Sequence, residues 1–371
     1  MTSILIGRGS YGIIFYPPIP CESLKFKIND ETLFVGKVFL NKKDSAKEWK
    51  NSVIIKKLPN YFSYFIISMY YSKIPVNTLS TYLNYDDKNQ YLKNKNQLFF
   101  YQHYKYQGGL SIYKYFHNNF RKSQVSHFEI IYLLQNIFYA IDYLIKNNYA
   151  HQDISMNNIL VHNLNSKIID LGFNLIHFKN FYNIPISKTL RNDNPLLAKD
   201  FKYYLNPPEY HLIHQCDLLN KLKESPNNIE YLNLIINNIK SNLNIAINDT
   251  RLYKLYNNYI NNNIWNTDFK YYLNDIFKKV ETINTTSMIE YYKKLYIHTK
   301  SDLYSLGIIM LSLDKYINLK YFKSNRNLNI HKEYIKLITG LINPSPIHRI
   351  NITIAIYYIK KIKNFHSYGS Q

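Results

Sequence analysis

The chain has 371 residues, and 46% of them are hydrophobic, which suits a large buried core and excludes an intrinsically disordered chain. Lys and Arg number 46 against 25 Asp and Glu, a formal net charge of +21. The two cysteines, Cys21 and Cys216, exclude a disulfide framework. The chain opens without a signal segment, and no apolar run approaches the about 20 residues that cross a bilayer. We therefore expect a cytoplasmic protein with no membrane partner.

The basic charge has two interpretations. In the first, it attracts nucleic acids, acidic proteins or anionic membranes. In the second, it follows from a codon bias towards Asn, Ile, Lys and Tyr, which also gives the chain its 38 tyrosines. No dense block of Lys and Arg occurs, so the second is favoured, and nucleic acid stays a possible partner without a specific signal.

Three glycines lie between two predicted strands near the start of the chain. Residues 3–15 read as strand, glycine turn and strand, with Gly7, Gly9 and Gly12 in the pattern G-x-G-x-x-G. Glycines let the backbone approach a phosphate and turn N–H groups towards it. The same pattern in dinucleotide-binding folds opens a helix. Here a β-branched and aromatic run follows, which predicts a second strand instead.

A lysine lies in the middle of the next predicted strand, residues 33–40, which follows a predicted loop over 17–32. Burying Lys37 in that strand requires a partner of opposite charge. We expect Glu48 to be this partner, on a helix predicted over 44–58. Less well placed alternatives are Glu31 and Asp44. The apolar face of the helix is predicted to consist of Trp49, Val53, Ile54 and Leu58.

Aromatic, strand-like runs continue over residues 61–106. The polar stretch 84–90 between them is predicted to be a loop. The hydrophobic period then changes, because apolar residues recur every three or four positions over 126–146. That pattern predicts a long buried helix.

Acidic and amide side chains follow that helix. Asp153 and Asn158 are five positions apart, and Asp170 precedes Gly172 at the end of another short apolar run. Two short strands joined by a tight turn would bring these polar side chains to one edge. Carboxylate and amide oxygens are hard ligands of the kind Mg²⁺ prefers, and a carboxylate can also accept a hydroxyl proton. His151 is expected to pack and hydrogen-bond beneath this loop.

These motifs together resemble the catalytic motifs of eukaryotic-type serine/threonine protein kinases. The stretches that carry the resemblance are residues 149–160 and 167–172, with the glycine pattern and the Lys37 strand. The resemblance implies an α+β, bilobal fold. A mostly antiparallel β small lobe is expected over 1–107 and a mainly helical large lobe over 108–371, with an inserted helical subdomain at about 211–298.

The resemblance also implies ATP and Mg²⁺ as cofactors and Ser or Thr hydroxyls of proteins as substrates. Asp153 would be the catalytic base, and Lys37, paired with Glu48, would hold the phosphates of ATP. Asn158 and Asp170 would bind the metal. The residues of the glycine loop that would contact the nucleotide are Ile6, Gly7, Arg8, Gly9, Ser10, Tyr11, Gly12, Ile13 and Ile14.

Further residues take structural roles in this resemblance. Either His103 or Tyr104 would border the adenine pocket. Asp302 would accept hydrogen bonds from the backbone of the catalytic loop. Glu209, in a Pro-Pro-Glu motif, would form a buried ion pair with Arg349.

Two positions depart from the kinase pattern. Gln152 stands where many kinases carry an Arg that binds a phosphorylated activation segment, so activation of that kind is not expected. Ser155 stands where serine/threonine kinases carry a Lys on the γ-phosphate. Its loss removes about a few kcal/mol of transition-state stabilisation unless another cation, such as Lys202, replaces it.

Three functions stay open from the sequence. A serine/threonine protein kinase is favoured. Ser155 suggests a pseudokinase scaffold instead, but the chain retains Lys37, Asp153, Asn158 and Asp170. A small-molecule phosphotransferase is the third, and the residues that resemble a peptide-binding large lobe oppose it: Glu209, Asp302 and Arg349.

A narrower resemblance rests on softer features. The stretch Gly7 to Pro20 followed by Cys21, the strand Val35 to Val38, the composition and the absence of an extension before the glycine loop resemble protein kinases of giant nucleocytoplasmic DNA viruses, mimivirus-like. This resemblance implies a viral protein located in the host cytoplasm or the virion.

Overall fold

The computed structural model divides into two compact units. The first comprises Met1–Leu110, Leu160–Asn163 and Lys167–Leu175, and the second comprises Ser111–Ile159, Leu164–Ser166 and Ile176–Gln371. The structure describes residues 3–9, 12–21, 33–92, 98–105, 108–119, 125–171, 175–177, 207–244, 263–295, 297–317 and 325–367.

The first unit contains a five-stranded antiparallel sheet. Its strands are β1 (Ile4–Gly9), β2 (Gly12–Tyr16), β3 (Phe34–Phe39), β4 (Ser68–Pro75) and β5 (Leu98–Lys105). They are arranged in the order β1-β2-β3-β5-β4. In the pairing of β3 with β5, Lys37 lies opposite Gln102 and Val35 lies opposite Tyr104. Because alternate strand residues point to opposite faces, these four side chains share one face of the sheet.

The helix α1 (Lys42–Lys56) follows β3, and the side chain of Asn41 caps its N-terminus. Its buried residues are Ser45, Glu48, Asn51, Ser52 and Ile55. The predicted apolar face is therefore wrong, because Trp49, Val53, Ile54 and Leu58 are only partly buried. The polar side chains are buried instead because each meets a hydrogen-bonding partner. For example, Ser52 Oγ accepts the N–H of Ser68 at 3.1 Å, and Gln102 Nε2 donates to the carbonyl oxygen of Ser45 at 2.7 Å.

An apolar core covers the opposite face of the sheet. Two short helices, α2 (Val76–Ser80) and α3 (Tyr85–Tyr91), lie in the connection between β4 and β5. The core cluster consists of Ile13, Phe15, Ile19, Val38, Ile74, Val76, Leu79, Leu83, Phe99 and Tyr101. This connection therefore gives the sheet a second packed face.

The helix α3 begins where the sequence predicted a loop, at residues 84–90. The side chain of Asn84 accepts the N–H of Asp87 at 2.8 Å, and two acidic residues lie in the first turn of the helix. Both features stabilise a helix N-terminus. The loop prediction is wrong because these polar residues form a helix cap and a first turn.

The second unit is mainly helical. Its helices are α4 (Ile112–Asn119), α5 (His127–Lys146), α6 (Pro208–Ile213), α7 (Cys216–Glu224), α8 (Ile229–Asn244), α9 (Asn263–Lys279), α10 (Thr285–Lys294), α11 (His298–Leu313), α12 (Asn325–Leu341) and α13 (Ile352–Ser367). The antiparallel sheet of the first unit and this mainly helical unit confirm the predicted α+β fold class.

The long helix predicted over 126–146 is confirmed as α5. It begins with a capping box, in which Ser126 accepts the N–H of Glu129 and the Glu129 carboxylate accepts the N–H of Ser126. Within the described part of the chain, α5 is the one helix long and apolar enough to cross a membrane, by length and composition alone. This corrects the expectation that no run approaches that limit. The helix packs against α11, α12 and α13, as a core helix does.

Short strands surround the polar motifs. β6 (Leu110–Ser111), β8 (Ile159–His162) and β9 (Asn165–Ile168) form a three-stranded sheet in the order β6-β8-β9, and β7 (Tyr149–Ala150) pairs with β10 (Ile176–His177). Asn163 and Leu164 join β8 to β9, and both have a positive φ. The predicted pair of strands with a tight turn is therefore present.

Four helices, α7 to α10, occupy the described part of the segment expected to be an insert. The helix α7 packs against α6 and α8, and α10 packs against α6. Residues 245–262 of this segment lie outside the described residues. That the segment is an insertion stays a prediction.

Candidate active site

A buried ion pair lies on the α1 face of the sheet. Lys37 Nζ is 2.8 Å from Glu48 Oε2 and 3.6 Å from Asp170 Oδ2. The side chain of Lys37 is 12% exposed and that of Glu48 is 3% exposed. The predicted Lys37 to Glu48 contact is therefore present, and the structure adds Asp170 to it.

The charges around Lys37 keep its ammonium protonated. Burial by itself lowers the pKa of Lys37, but the carboxylates of Glu48 and Asp170 more than offset that effect and raise the pKa above its ordinary value. A permanently charged ammonium beside two carboxylates is suited to binding phosphate oxygens when a metal ion balances the carboxylate charge.

The segment that leads to Asp170 is fixed by backbone and side-chain bonds within the first unit. Ile168 at the end of β9 accepts the N–H of Ile66 at 3.0 Å and donates to the carbonyl oxygen of Tyr64 at 2.9 Å. The carbonyl oxygen of Leu171 accepts a hydrogen bond from Asn51 Nδ2 at 2.6 Å. Asp170 itself has a φ of 60°, in the left-handed region. Its carboxylate is thereby held beside Lys37.

Sequence reasoning missed the role of Asn51. Asn51 lies three residues after Glu48 on α1, so the two side chains share one face of the helix. A polar residue three positions after Glu48 was the sequence signal that could have predicted this role. The spacing of Trp49 and Val53 instead suggested that the opposite, apolar face is the buried one.

The glycine loop is an antiparallel hairpin of β1 and β2, as predicted. Gly9 lies opposite Gly12, and a Cβ at Gly12 would be only 2.2 Å from the carbonyl oxygen of Val38. Gly12 is therefore required by the close approach of β3. Ser10 and Tyr11, two of the residues expected to contact a nucleotide, lie outside the described residues.

Arg8, also expected to contact the nucleotide, is bound to an acidic residue of α3. Its Nε lies 3.0 Å from Asp87 Oδ1 and its Nη2 lies 2.8 Å from Asp87 Oδ2. The side chain of Asp87 is buried, whereas that of Arg8 is half exposed. Sequence reasoning could not find this bidentate pair because 79 positions separate its members.

His103 and Tyr104, the two residues expected to border an adenine, point to opposite faces of β5. Tyr104 Oη donates to Glu48 Oε1 at 2.5 Å. His103 lies against the ring of Tyr101, 4.6 Å between centroids, and burial lowers its pKa to about 4. Tyr104 is the candidate on the face that carries Lys37.

The catalytic loop lies in the second unit and is fixed by the predicted aspartate. Both oxygens of Asp302, on α11, accept backbone N–H groups at 2.7 Å, one from His151 and one from Gln152. The N–H of Asp153 is 3.3 Å from His151 Nδ1. His151 is buried, so its expected structural role beneath the loop agrees with its position.

The structure brings Asp153 and Asn158 together at the end of this loop. Asn158 Nδ2 donates to the Asp153 backbone oxygen and to its Oδ2, both at 3.0 Å. A carboxylate held by a neighbouring amide is suited to accept a proton from a hydroxyl group.

The donor chemistry of Asn158, in the second unit, and that of Asp170, in the first, each fit a Mg²⁺ ligand. Both offer hard oxygens, and Mg²⁺ in nucleotide sites commonly takes one or two protein ligands with waters and phosphates. Among the described residues no group of three or more His, Cys, Asp or Glu side chains could hold a metal ion.

Gln152 connects three elements of the second unit. Its backbone has a φ of 65°, in the left-handed region. Its amide oxygen accepts the hydroxyl of Tyr210 at 2.5 Å, and its amide nitrogen donates to Ser301 Oγ. Tyr210 was not among the predicted site residues. Its position directly after the Pro-Pro-Glu motif was the signal that could have found it.

Ser155 turns inward, within its own loop. Its Oγ and its carbonyl oxygen both accept the N–H of Asn158, at 3.3 and 3.0 Å, and the residue is buried. Its hydroxyl therefore shapes the turn before Asn158. Lys202, the suggested replacement cation, lies outside the described residues.

The predicted ion pair between Glu209 and Arg349 is confirmed. Arg349 Nη1 and Nη2 donate to the two carboxylate oxygens of Glu209 at 2.7 and 2.9 Å, and both side chains are fully buried. The guanidinium also lies 4.9 Å from the ring centre of Tyr304 on α11. The bidentate geometry and the ring together compensate the burial of the two charges.

The residues in the two units are those that carry the resemblance to protein kinases. A family model described as protein tyrosine and serine/threonine kinase matches residues 6–189. Residues 6–189 therefore match a protein kinase domain of this family, whose members use ATP and Mg²⁺ and act on protein substrates. No curated protein matches the chain.

Proposed function

We propose that the protein is an active kinase that transfers the γ-phosphoryl group of ATP to Ser or Thr hydroxyls of proteins. The observation that carries the proposal is the buried ion pair of Lys37 and Glu48 with Asp170 beside it. In protein kinases this Lys and Glu must be paired for activity. A chain that had lost its chemistry would have little reason to bury Glu48 against Lys37 and to keep the partly exposed carboxylate of Asp170 beside them.

Each residue has a step in the proposed reaction. Lys37 binds the α- and β-phosphates and stays charged while it does so. Asp153 accepts the proton of the substrate hydroxyl as its oxygen bonds to the γ-phosphorus. The bond between that phosphorus and the β-bridging oxygen breaks, and ADP leaves with the electron pair. Asn158 holds Asp153 in position.

Mg²⁺, held by Asn158 and Asp170, would supply positive charge to the phosphates. The hairpin residues from Ile6 to Ile14 would lie against the same phosphates with their backbone N–H groups. The proposal assigns no cation to the position of Ser155, so slow turnover is expected.

A pseudokinase scaffold is the second candidate, and one observation favours it. Ser155, at the position of a phosphate-binding Lys, directs its hydroxyl to the N–H of Asn158. Such a protein would bind nucleotide without efficient transfer. The buried pair of Glu209 and Arg349, and the hydrogen bonds from the catalytic loop to Asp302 on α11, favour a protein kinase over a small-molecule phosphotransferase.

The test is a transfer assay with γ-labelled ATP and Mg²⁺. The acceptors are a basic protein, an acidic protein, an aminoglycoside and the protein itself, followed by phosphoamino-acid analysis. Phosphoserine or phosphothreonine supports the proposal, and phosphotyrosine alone contradicts its Ser/Thr part. Labelled aminoglycoside with no labelled protein points to the small-molecule class. Nucleotide binding without any label supports the scaffold.

The sequence-based expectations of a viral origin, of a location in the host cytoplasm or virion, and of lobes at 1–107 and 108–371 stay predictions. Immunolocalisation and limited proteolysis are the measurements that address them. A first proteolytic cut near residue 107 supports the boundary.

A further inference from the structure

Tyr104 donates a hydrogen bond to the same carboxylate that holds Lys37. Its Oη is 2.5 Å from Glu48 Oε1, whereas Lys37 Nζ is 2.8 Å from Glu48 Oε2. Each oxygen of Glu48 therefore has a donor from a different strand, one from β5 and one from β3. A carboxylate held at both oxygens has little freedom to rotate or withdraw.

The surroundings of this contact make it strong. Glu48 is 2% exposed and Tyr104 is 8% exposed. Hydrogen bonds to an ionised group are stronger than neutral ones, and low polarity around them increases the effect. Removal of the hydroxyl would leave a buried carboxylate oxygen without this donor.

The strand β5 also holds α1 one turn earlier. Gln102, two residues before Tyr104 and on the same face, donates to the carbonyl oxygen of Ser45 at 2.7 Å and to its Oγ at 2.9 Å. Tyr104 and Gln102 therefore bind successive turns of α1. The helix is positioned by side chains of the first unit itself.

We propose that Tyr104 is a positioning residue for phosphoryl transfer, whose hydroxyl fixes Glu48 and, through Glu48, the ammonium of Lys37. This inference rests on the proposed function, because the phosphates of ATP are the ligand that Lys37 would bind. Tyr104 would thus position the Lys37 and Glu48 pair, in which it is not itself a member.

The variant Tyr104→Phe removes the hydroxyl and keeps the ring. We expect kcat to fall about tenfold, the factor that corresponds to 1.4 kcal/mol. The affinity for Mg²⁺ and a fluorescent ATP analogue should change less than threefold. Lys37 keeps its charge in this variant, but its ammonium is less precisely aligned with the phosphates. Alignment matters most in the transition state, so kcat falls more than nucleotide affinity.

The matched control is Tyr101→Phe. Tyr101 lies on the same strand and is fully buried, but it points to the opposite face, where its hydroxyl accepts the N–H of Ile19 at 2.6 Å. This control loses a buried tyrosine hydroxyl and its neutral hydrogen bond, without contact to Glu48. It should lower thermal stability and leave kcat unchanged.

A double-mutant cycle separates positioning from a general loss of stability. If Tyr104 acts through Glu48, Tyr104→Phe should have no further effect on kcat in a Glu48→Gln background. Hydrogen exchange of the amides of residues 42–56 gives a readout that needs no activity. Exchange there should be faster in Tyr104→Phe and unchanged in Tyr101→Phe.

The outcomes distinguish this inference from the proposed function. If the wild type transfers phosphate and Tyr104→Phe matches it, or if the effects of Tyr104→Phe and Glu48→Gln add fully, the positioning role is wrong. If the wild type transfers none, the proposed function fails instead. In that case unchanged exchange of residues 42–56 in Tyr104→Phe overturns the inference as well.

Discussion

Gly36 lies directly beneath the hydroxyl of Tyr101. This single contact determines that the position has no room for a larger side chain. A Cβ at position 36 would lie 1.7 Å from Tyr101 Oη and 2.2 Å from the ring carbon that carries it. Tyr101 therefore occupies the space in which most residues would place their first side-chain atom. The ring in turn reaches the backbone of Ile19, so Gly36 allows that contact.

We predict that Gly36→Ala destabilises the protein by about 2 kcal/mol or more, because the buried Tyr101 ring must move. Urea unfolding measures the change. Gly7→Ala is the control, since the nearest atoms to a Cβ there belong to Ile14 and lie at an ordinary contact distance of 3.5 Å. The same loss in both variants would contradict a specific clash with Tyr101.

Arg349 and Glu209 form a buried charge pair, and removal of one partner leaves the other charge buried without compensation. We predict that Arg349→Met costs about 3–5 kcal/mol, because it leaves the buried carboxylate of Glu209 without its partner. The matched control is Lys146→Met, which breaks the exposed ion pair with Asp142 on α5. Exposed pairs contribute little, so the control should unfold at nearly the wild-type urea concentration. Similar losses in both would contradict the special role of the buried pair.

At the scale of elements, α1 and α3 show where hydrophobic period misleads. The apolar residues of α1 predicted one buried face. The helix buries a polar face instead, because its polar side chains bind Lys37, Gln102 and the N–H of Ser68. The spacing of apolar residues indicates which face of a helix prefers apolar surroundings. It contains no information about hydrogen-bonding partners on strands that are distant in the sequence. The polar run at 84–90 likewise becomes a helix because Asn84 caps it.

The helix α3 gives the glycine hairpin an anchor through the bidentate pair of Asp87 and Arg8. We predict that Asp87→Asn weakens binding of a fluorescent ATP analogue about threefold, since the hairpin loses one fixed point. The half-exposed Arg8 limits the size of this effect. Fluorescence titration measures it.

Asp86→Asn is the control for this prediction. Asp86 is the preceding residue, it lies in the same first turn and it is exposed, so its charge change is equal. Equal weakening by Asp86→Asn would point to overall charge and contradict the anchor.

The helices α5 and α12 meet through two histidines. His127 Nε2 lies 3.1 Å from His331 Nδ1, and the Tyr334 ring packs against His127 with centroids 4.6 Å apart. Burial, with His331 as a smaller cause, lowers the pKa of His127 to about 3. In the unfolded chain the pKa of a His is about 6.5.

We predict that this pair makes the protein less stable in acid. Above pH 6.5 both folded and unfolded chains keep His127 neutral. As the pH falls from 6.5 towards 3, the unfolded chain takes up a proton that the folded chain excludes. The free energy of unfolding then drops by up to about 1.4 kcal/mol per pH unit.

Urea unfolding from pH 7 to pH 4.5 measures this slope. His127→Asn should reduce it by about one proton's contribution, whatever its effect on stability at pH 7. His162→Asn, at the exposed last position of β8, should leave the slope as in the wild type. An unchanged slope in His127→Asn would show that other groups cause the acid sensitivity.

At the scale of the whole molecule, the sequence predicted those parts of the site whose chemistry is local. Asp153 and Asn158 are five positions apart, and their mutual hydrogen bonds need only the loop between them. Lys37 and Glu48 are also close in sequence, with charge as an additional signal. The long-range pairs of Glu209 with Arg349 and of Asp302 with the loop were reached only through the kinase resemblance.

The parts that the sequence did not predict depend on contacts between distant segments. Examples are the hydroxyl of Tyr104 on Glu48, Asn51 on the Leu171 carbonyl, and Asp87 on Arg8. Each joins residues 56 or more positions apart. Periodicity and spacing in a single sequence cannot predict such a pair, because its two residues become neighbours only when the chain has folded.

The central claim is that this kinase domain is catalytically active, with Asp153 as its base. The most direct test is transfer of labelled γ-phosphate to a basic protein at saturating ATP and Mg²⁺, by the wild type, Asp153→Asn and Asp142→Asn. Asp142→Asn is the matched control on α5. We predict measurable transfer by the wild type and the control and a loss of about 10²- to 10⁴-fold in Asp153→Asn, with nucleotide affinity retained. Equal rates in all three variants, or no transfer by any of them while ATP still binds, would contradict the claim.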